Sequence, residues 1–214
     1  MKVIEIFNSI DGEGKRAGEL TTFVRLAGCN LQCPYCDTKY SWSDKDATEM
    51  TPMEVVQFIS RSGYTNVTIT GGEPLIHSEI RVLLNMLSRT GFYVNVETNG
   101  SVDVAEFRRP GVFFTVDYKC PSSGMEDKMC FSMFNELQEE DVLKFVVGSQ
   151  EDLQTAKRVT KLLGNHACSI YVSPVFGQIE PVEIVEFMKK YEIEDWRIQL
   201  QLHKFIWDPN ERGV

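Results

Sequence analysis

The sequence lacks the features of a membrane or secreted protein. It has no run of about 18 apolar residues that would span a bilayer. Its first residues, MKVIEIFNSIDGEG, contain neither the apolar stretch nor the small-residue cleavage site of a secretory signal. We therefore expect a cytoplasmic protein that does not contact membranes. Because cytoplasmic thiols stay reduced, the six cysteines are expected to be ligands, core residues or bystanders rather than disulfides.

The sequence also has few basic residues for its acidic content. The 22 Lys and Arg against 31 Asp and Glu give a net charge of −9. A protein that binds a phosphate backbone needs clustered Lys and Arg to displace counterions. We therefore expect no nucleic acid partner. Repeats and low-complexity segments are absent, and the 214 residues, 43% of them hydrophobic, are typical of one globular domain over residues 1–214.

Segments typical of strands alternate with helical patterns. Runs rich in β-branched and aromatic residues predict strands at 21–27, 66–70, 93–97, 112–116, 142–147, 168–173 and 196–201. Helices are predicted after Thr51 and over 77–90, 150–163 and 181–191. The first of them has Thr51 as N-cap, Glu54 completing a capping box, and Gly63 at its end.

This alternation predicts a parallel sheet with right-handed crossovers, either curled towards a barrel or doubly wound and open. A complete eight-stranded barrel takes about 250 residues, more than this chain has. We therefore predict an α/β fold, an incomplete TIM-like barrel of about six βα units with helices outside. In both architectures the chemistry gathers at the carboxyl ends of the strands. Five polar or glycine-bearing loops follow predicted strands there: 28–38, 71–74, 98–101, 117–124 and 174–177.

Three cysteines are crowded into GCNLQCPYCDT, with the spacing C-x3-C-x2-C and no fourth cysteine nearby. They are Cys29, Cys33 and Cys36. A helix that carries all three on one face is disfavoured, because Pro34 follows Cys33 directly. A structural zinc site would need a fourth ligand, such as Asp37 or Cys120. The third interpretation is a 4Fe-4S cluster held at three corners, which leaves one iron open.

These residues carry a resemblance. The spacing C-x3-C-x2-C, with Tyr35 before the last cysteine, resembles the signature of radical S-adenosylmethionine (SAM) enzymes, and GGEP at 71–74 resembles their second motif. In that family the open iron chelates SAM, and an electron from the cluster breaks the sulfonium bond to give a 5′-deoxyadenosyl radical. The resemblance implies a barrel of the radical SAM type. It also implies that the cofactor carries the chemistry, so no side chain is expected to be catalytic.

A narrower resemblance covers nearly the whole chain. EIFNSIDGEG, FVRLAGCNLQCPYCDT, TGGEP, ETNGS, KCPSSG and LQLHKFIW stand in the order found in the 7-carboxy-7-deazaguanine synthases of queuosine and 7-deazapurine biosynthesis. This implies a lyase that converts 6-carboxy-5,6,7,8-tetrahydropterin to 7-carboxy-7-deazaguanine by radical ring contraction with loss of ammonia. It further implies SAM as a regenerated cofactor, a magnesium ion, a flavodoxin- or ferredoxin-type electron donor and a homodimer. Short extensions at both ends of the single domain would bind substrate.

The resemblance assigns site residues position by position. Cys29, Cys33 and Cys36 would hold the 4Fe-4S cluster, and Thr38, assisted by Asp37, the magnesium ion. The pterin would contact Ile10, Asp11, Gly12, Glu13, Arg25, Thr70, His203 and Pro209. SAM would contact Gly71, Gly72, Glu73, Glu97, Asp117, Tyr118, Lys119, Ser173, Pro174, Val175 and Phe176.

Two positions depart from the family pattern. Asp11 stands where the family commonly has Gln, and Asp117-Tyr118-Lys119 replaces the usual Ser-Pro-Lys. Other assignments have structural alternatives. Arg25 has as its alternative an internal ion pair with Glu97 or Asp117. For His203 by itself, a structural histidine is favoured over a pterin contact. Cys120, Cys130 and Cys168 lack ligand spacing and are expected to be bystanders.

Two competing functions remain open from the sequence. A radical SAM activase that generates a glycyl radical on a partner protein would share the cysteines and GGEP, but should lack the DGEG and CDT positions. A non-enzymatic zinc-stabilised or electron-carrier module would need a fourth ligand, and none of the remaining cysteines is well spaced for that role.

Overall fold

Nine strands form one sheet. They are β1 (Lys2–Ile10), β2 (Leu20–Leu26), β3 (Thr48–Glu49), β4 (Asn66–Gly71), β5 (Tyr93–Thr98), β6 (Val112–Lys119), β7 (Val142–Val147), β8 (Ser169–Pro174) and β9 (Trp196–Ile198). In the computed structural model, which describes all 214 residues, their order across the sheet is β3-β1-β2-β4-β5-β6-β7-β8-β9. The sheet is open, because β3 and β9 lie at opposite edges.

The seven predicted strands are all present, as β2 and β4 to β9. They run parallel to one another. The α/β prediction is therefore confirmed, as an open and incomplete barrel. Parallel pairing brings the carboxyl ends of all seven strands to one edge of the sheet. The sequence did not predict β1 and β3, which add antiparallel strands beside β2.

Five helices accompany the sheet; the first four lie where the sequence predicted helices, and the fifth was not predicted. They are α1 (Pro52–Ser62), α2 (Ile80–Arg89), α3 (Gln150–Leu163), α4 (Pro181–Lys190) and the short α5 (His203–Ile206). The capping box at α1 is confirmed: the Thr51 side chain accepts from the Glu54 amide, and the Glu54 carboxylate accepts from the Thr51 amide. Gly63 ends α1 with φ of 81°, a left-handed conformation that glycine adopts without a Cβ clash.

Two crossovers differ from the expected βα units. The connections after β5 and β6 contain only 3-10 turns, at Ala105–Phe107, Pro121–Ser123, Glu126–Lys128 and Phe131–Glu136. Pro110, Pro121 and several glycines interrupt these segments and prevent a longer helix. At the far edge, β9 ends at Ile198 rather than at residue 201.

One cluster of 39 buried residues forms the core between the sheet and the helices. From α2 it includes Leu83, Leu84 and Leu87, all fully buried. Their spacing of i, i+1 and i+4 places one apolar stripe of the helix against the sheet. No helix has the length and hydrophobicity needed to cross a bilayer.

Candidate active site

A cavity of about 820 Å³ opens at the carboxyl edge of the sheet. This volume is at the upper end of the range for small-molecule sites. Its walls come from the cysteine loop, from the loops after β4, β5 and β8, from the ends of β6 and β7, and from both terminal segments of the chain. All the site residues predicted from the sequence line it, except Asp11, Glu73 and Tyr118.

The position of Tyr118 follows from strand alternation. Asp117 and Lys119 face the cavity, so the residue between them on β6 points to the opposite side of the sheet. There the Tyr118 ring packs against Phe134 and Phe145, at centroid distances of 5.5 and 5.3 Å. Tyr118 is therefore a core residue and not part of the cavity wall, contrary to its predicted contact with SAM.

Glu73 is also displaced from its predicted role. It is fully buried, and its carboxylate accepts hydrogen bonds from the Leu75 amide at 2.9 Å, the Thr98 hydroxyl at 2.8 Å and the Asn99 amide at 2.7 Å. Burial raises the pKa of Glu73 to about 7 against these three donors. The side chain joins the loop after β4 to the loop after β5, and so supports the cavity from behind.

Asp11 lies beneath the cavity rather than in it. Its carboxylate pairs with Arg16 at 2.9 Å and accepts from the Thr68 hydroxyl at 2.7 Å, with 1% of the residue exposed. Its backbone groups are bonded to Glu19 and Gly18. The predicted substrate contact at Asp11 therefore has no group available to make it.

The three clustered cysteines all line the cavity. Cys33 is buried, while Cys29 and Cys36 are half-buried. Burial raises the pKa of the Cys29 and Cys33 thiols. No three or more His, Cys, Asp or Glu side chains stand in ready-made metal-ligand geometry, so iron binding would have to draw the sulfurs together and release their protons.

The remaining cysteines do not supply a fourth ligand. Cys120, Cys130 and Cys168 are free thiols outside the cavity lining. Cys120 is fully buried, and burial raises the pKa of its thiol well above the ordinary value. The donor set in the cavity thus fits a 4Fe-4S cluster with one open iron better than a four-ligand zinc site.

Gly72 holds the cysteine loop close to the end of β4. Its amide donates to the Leu26 carbonyl at 3.0 Å, and the Glu73 amide donates to the Gly28 carbonyl at 2.8 Å. A Cβ atom at Gly72 would collide with the Gly28 carbonyl and lie 2.9 Å from the Cys29 amide nitrogen. The glycine therefore permits the close approach of two backbone segments on which the cysteine loop depends.

Four charged side chains, between 8% and 18% exposed, form a chain across the cavity wall. Lys144 on β7 lies 3.1 Å from Asp117 and 3.5 Å from Glu13, and Lys119 lies 2.7 Å from Asp117. Burial opposes both ammonium groups, but the neighbouring carboxylates raise the pKa of Lys144 and Lys119. Burial likewise opposes ionisation of the Asp117 carboxyl group, but the two neighbouring lysines lower its pKa. Lys144 was missed in the sequence, where its only signal is a lysine inside the apolar run VLKFVV.

Glu97 lies beside this chain. Its carboxylate accepts from the Thr70 hydroxyl at 2.8 Å. Burial raises the pKa of Glu97 to about 7; Glu13 adds to this effect and Lys144 opposes it. A carboxyl group with this pKa exchanges a proton near neutral pH.

Arg25 has a different partner from those considered in the sequence. It pairs with Glu5 on β1 at 2.6 Å, rather than with Glu97 or Asp117. Those two alternatives were wrong because β1, the nearest antiparallel strand, was not predicted. Only the Nε atom of Arg25 is engaged, and its guanidinium lies over the Tyr40 ring at 5.9 Å.

Thr38 and Asp37 lie together at the cavity entrance. The Thr38 hydroxyl donates to Asp37 at 2.8 Å, and Lys204 on α5 pairs with the same carboxylate at 3.1 Å. The surrounding protein opposes ionisation, but Lys204 and Thr38 lower the pKa of Asp37 to about 2, although half of the side chain is exposed. The hydroxyl and the ionised carboxylate are oxygen donors of the kind that magnesium binds while keeping most of its waters.

The C-terminal segment closes one side of the cavity. The Leu202 amide donates to the Gly12 carbonyl at 3.1 Å, and the His203 ring packs against Gly12. Gln201 donates to Glu13 at 3.2 Å. Residues 209–214 complete the lining, including the predicted Pro209. The sequence predicted only His203 and Pro209 here, and polar side chains near the chain end gave no other signal.

The sequence is similar to those of known proteins. The family described as "Radical SAM superfamily" matches residues 24–130. A protein of Clostridium acetobutylicum named 7-carboxy-7-deazaguanine synthase is 48% identical over 100% of this chain and 99% of its own length. One of the same name from Chlorobaculum tepidum is 40% identical over 100% and 97%.

Solved structures share the fold. QueE from Escherichia coli superposes with a TM-score of 0.76 at 26% identity, over 94% of this chain and 93% of that one. Streptococcus suis SuiB bound to S-adenosylmethionine superposes with a TM-score of 0.57 at 11% identity, over 83% of this chain and 48% of that one. The second likeness is one of fold alone.

Proposed function

Because the chain belongs to the radical SAM superfamily and, within it, to the 7-carboxy-7-deazaguanine synthases, we propose that it converts 6-carboxy-5,6,7,8-tetrahydropterin to 7-carboxy-7-deazaguanine. The enzyme is a carbon-nitrogen lyase of 7-deazapurine and queuosine biosynthesis. Substrate and products balance, since the carboxydeazaguanine and one ammonia together contain all the atoms of the pterin. The observation that carries the proposal is the single cavity in which the cysteine loop faces Glu13 and Arg25.

We propose that Cys29, Cys33 and Cys36 hold a 4Fe-4S cluster whose open iron binds SAM. When bound, these groups supply a 5′-deoxyadenosyl radical. The surrounding residues hold SAM against the cluster and keep water out. Those proposed to contact SAM are Gly71, Gly72, Glu97, Asp117, Lys119, Ser173, Pro174, Val175 and Phe176, with Glu73 and Tyr118 reassigned to support.

We propose that the pterin lies between the turn after β1 and the C-terminal segment. Glu13 would accept hydrogen bonds from the amino-pyrimidine edge of the ring, and the free terminal nitrogens of Arg25 would bind the substrate carboxylate. Thr70 and His203 border the same space. Ile10, Gly12 and Pro209 would complete the contact surface, and Asp11 would support it from below.

We propose that Thr38, assisted by Asp37, binds a magnesium ion together with the substrate carboxylate. The support is the pairing of a hydroxyl with a carboxylate whose pKa is low. Replacing Thr38 by Val should raise the magnesium concentration for half-maximal activity at least tenfold, while Thr38→Ser should restore it. Equal magnesium dependence of all three proteins would contradict this assignment.

Four further features complete the proposal. Residues 1–214 would act as a single radical SAM domain, because one sheet and one core extend from β1 to β9. We propose a flavodoxin- or ferredoxin-type electron donor, tested by cluster reduction with the purified carrier. Sedimentation tests the proposed homodimer. Cell fractionation tests the proposed cytoplasmic location.

The decisive experiment is an anaerobic assay of the reconstituted protein with SAM, a reductant, magnesium and 6-carboxy-5,6,7,8-tetrahydropterin, with the product identified by mass. We expect carboxydeazaguanine and ammonia in equal amounts, with SAM regenerated. No product from a protein that carries reduced cluster and cleaves SAM would overturn the proposal. In that case, a glycyl radical on a partner protein, detected by electron paramagnetic resonance, would identify an activase.

A further inference from the structure

Lys144 is the centre of the buried charges in the cavity wall. It lies on β7 in register with Asp117 on β6, and 8% of its side chain is exposed. Its ammonium lies 3.1 Å from Asp117 and 3.5 Å from Glu13. These two carboxylates come from opposite sides of the proposed site, since Glu13 borders the pterin and Asp117 borders SAM.

The other contacts of Glu13 do not supply charge. Ser173 donates to one of its oxygens at 2.9 Å, and Gln201 donates to the other at 3.2 Å. Lys119, the other lysine in this wall, pairs with Asp117 and not with Glu13. Lys144 is therefore the only ammonium within ion-pair distance of Glu13, and the only group that joins Glu13 to the strand carrying Asp117.

We propose that Lys144 is a positioning residue for the reaction, holding the pterin-binding carboxylate of Glu13 at a fixed place relative to the SAM-binding end of β6. A primary carbon radical abstracts any hydrogen within reach, so productive chemistry needs the pterin held in one orientation against SAM. The inference rests on the proposed function. It adds to that function a role for Lys144, which would set the position of the pterin relative to SAM. Lys144 does not itself need to contact either ligand.

The loss of Lys144 would also change the ionisation of the wall. Glu13 would then have no ammonium within ion-pair distance, while Lys119 would remain beside Asp117. Lys144 also opposes the raised pKa of Glu97, so its loss would let Glu97 hold its proton to higher pH. Further groups face these three: Lys119 on β6, Thr70 on β4, Ser173 on β8, Gln201 and His203 in the C-terminal segment, and Asp11 below. Of these, none supplies a second ammonium to Glu13.

The test compares Lys144→Met, Lys144→Gln and Lys144→Arg with wild type, using Lys161→Met on the exposed face of α3 as a matched control. We expect the Met and Gln variants to retain iron. Their affinity for SAM, measured from the change that SAM causes in the electron paramagnetic resonance of the reduced cluster, should stay within about threefold of wild type, because Lys119 still pairs with Asp117. The KM for carboxytetrahydropterin should rise at least tenfold. The pH below which that KM increases should move up by about one unit.

Lys144→Arg keeps the positive charge. In this variant, the pH below which KM increases should be the same as in wild type. A Met or Gln variant with wild-type KM and pH dependence would overturn the inference, as would equal losses in iron, SAM affinity and KM, which indicate a merely structural role. If the Met variant does not fold, the Gln and Arg variants decide. Turnover of carboxytetrahydropterin by wild type tests the proposed function separately. If wild type gives no turnover, both the proposed function and the inference that rests on it are overturned.

Discussion

Arg16 donates from Nε to the Asp11 carboxylate at 2.9 Å, and both side chains are buried beneath the active-site cavity. Arg16 also donates to the carbonyls of Val67 at 3.0 Å and Tyr93 at 2.8 Å, at the beginning of β4 and β5. Asp11, which departs from the family pattern, is thus the partner of an arginine that joins the N-terminal ends of β4 and β5. The pair holds the turn that carries Gly12 and Glu13.

The first prediction concerns this pair. Arg16→Met would leave the Asp11 carboxylate buried without its counter-charge, so the free energy of unfolding should fall by about 3 kcal/mol. Denaturant unfolding of the cluster-free protein measures it. Arg81→Met removes an exposed pair with Glu106 and should cost less than about 1 kcal/mol. Equal losses in the two variants would show that the Asp11–Arg16 pair contributes no more than an exposed one.

The second prediction concerns the contact between the loop after β4 and the cysteine loop. Gly72→Ala would push its Cβ into the Gly28 carbonyl. Iron content after reconstitution should fall by at least half, and activity by at least tenfold. Gly124→Ala is the control, because Gly124 has open space around it and its φ of 63° costs about 1 kcal/mol of strain without a collision. Full iron loading of Gly72→Ala would refute the close-approach argument.

The third prediction concerns pH. The pKa of Glu97 is about 7 in the folded protein against an ordinary value of 4.5, because the carboxyl is buried. A raised carboxyl pKa means that the folded state binds the proton more tightly than the unfolded state. Its stabilisation is therefore complete below pH 4.5 and is lost as pH rises through 7.

As pH rises from 4.5 to above 7, the free energy of unfolding of wild type should therefore fall by up to about 3 kcal/mol relative to that of Glu97→Gln. Parallel unfolding curves of the cluster-free proteins at several pH values measure the difference. A stability difference that does not change with pH would show that folding does not raise the pKa of Glu97.

The fourth prediction separates cluster ligands from bystander cysteines. Cys33→Ala should abolish visible iron-sulfur absorption and lower activity at least a hundredfold, because two thiolates cannot hold the cubane. Cys130→Ser, at a half-buried position outside the cavity, should keep both. The measurements are iron and sulfide content and the anaerobic visible spectrum. Loss of iron in the Cys130 variant would identify Cys130 as a fourth cluster ligand. The cluster would then have no iron free to bind SAM.

Local patterns in the chain were sufficient for most of the fold. The seven parallel strands have β-branched and aromatic runs, and α1 has its capping box and terminal glycine within a dozen residues. These signals act over short distances, so they are present in the sequence itself. The strand β1 escaped prediction because its half-buried pattern and its charged Glu5 resemble neither a core strand nor an amphipathic helix.

The sequence by itself determined that Cys29, Cys33 and Cys36 are neighbours, because eight consecutive residues cannot separate them. It also determined that the loops after the parallel strands share one edge. Only the tertiary structure decided which way Tyr118 points, that Arg25 meets Glu5, and that Lys144 joins Glu13 to Asp117. Those relations link residues up to 131 positions apart in numbering, between Glu13 and Lys144. Such pairings depend on strand register and on the packing of both chain ends against the sheet, and no local pattern encodes them.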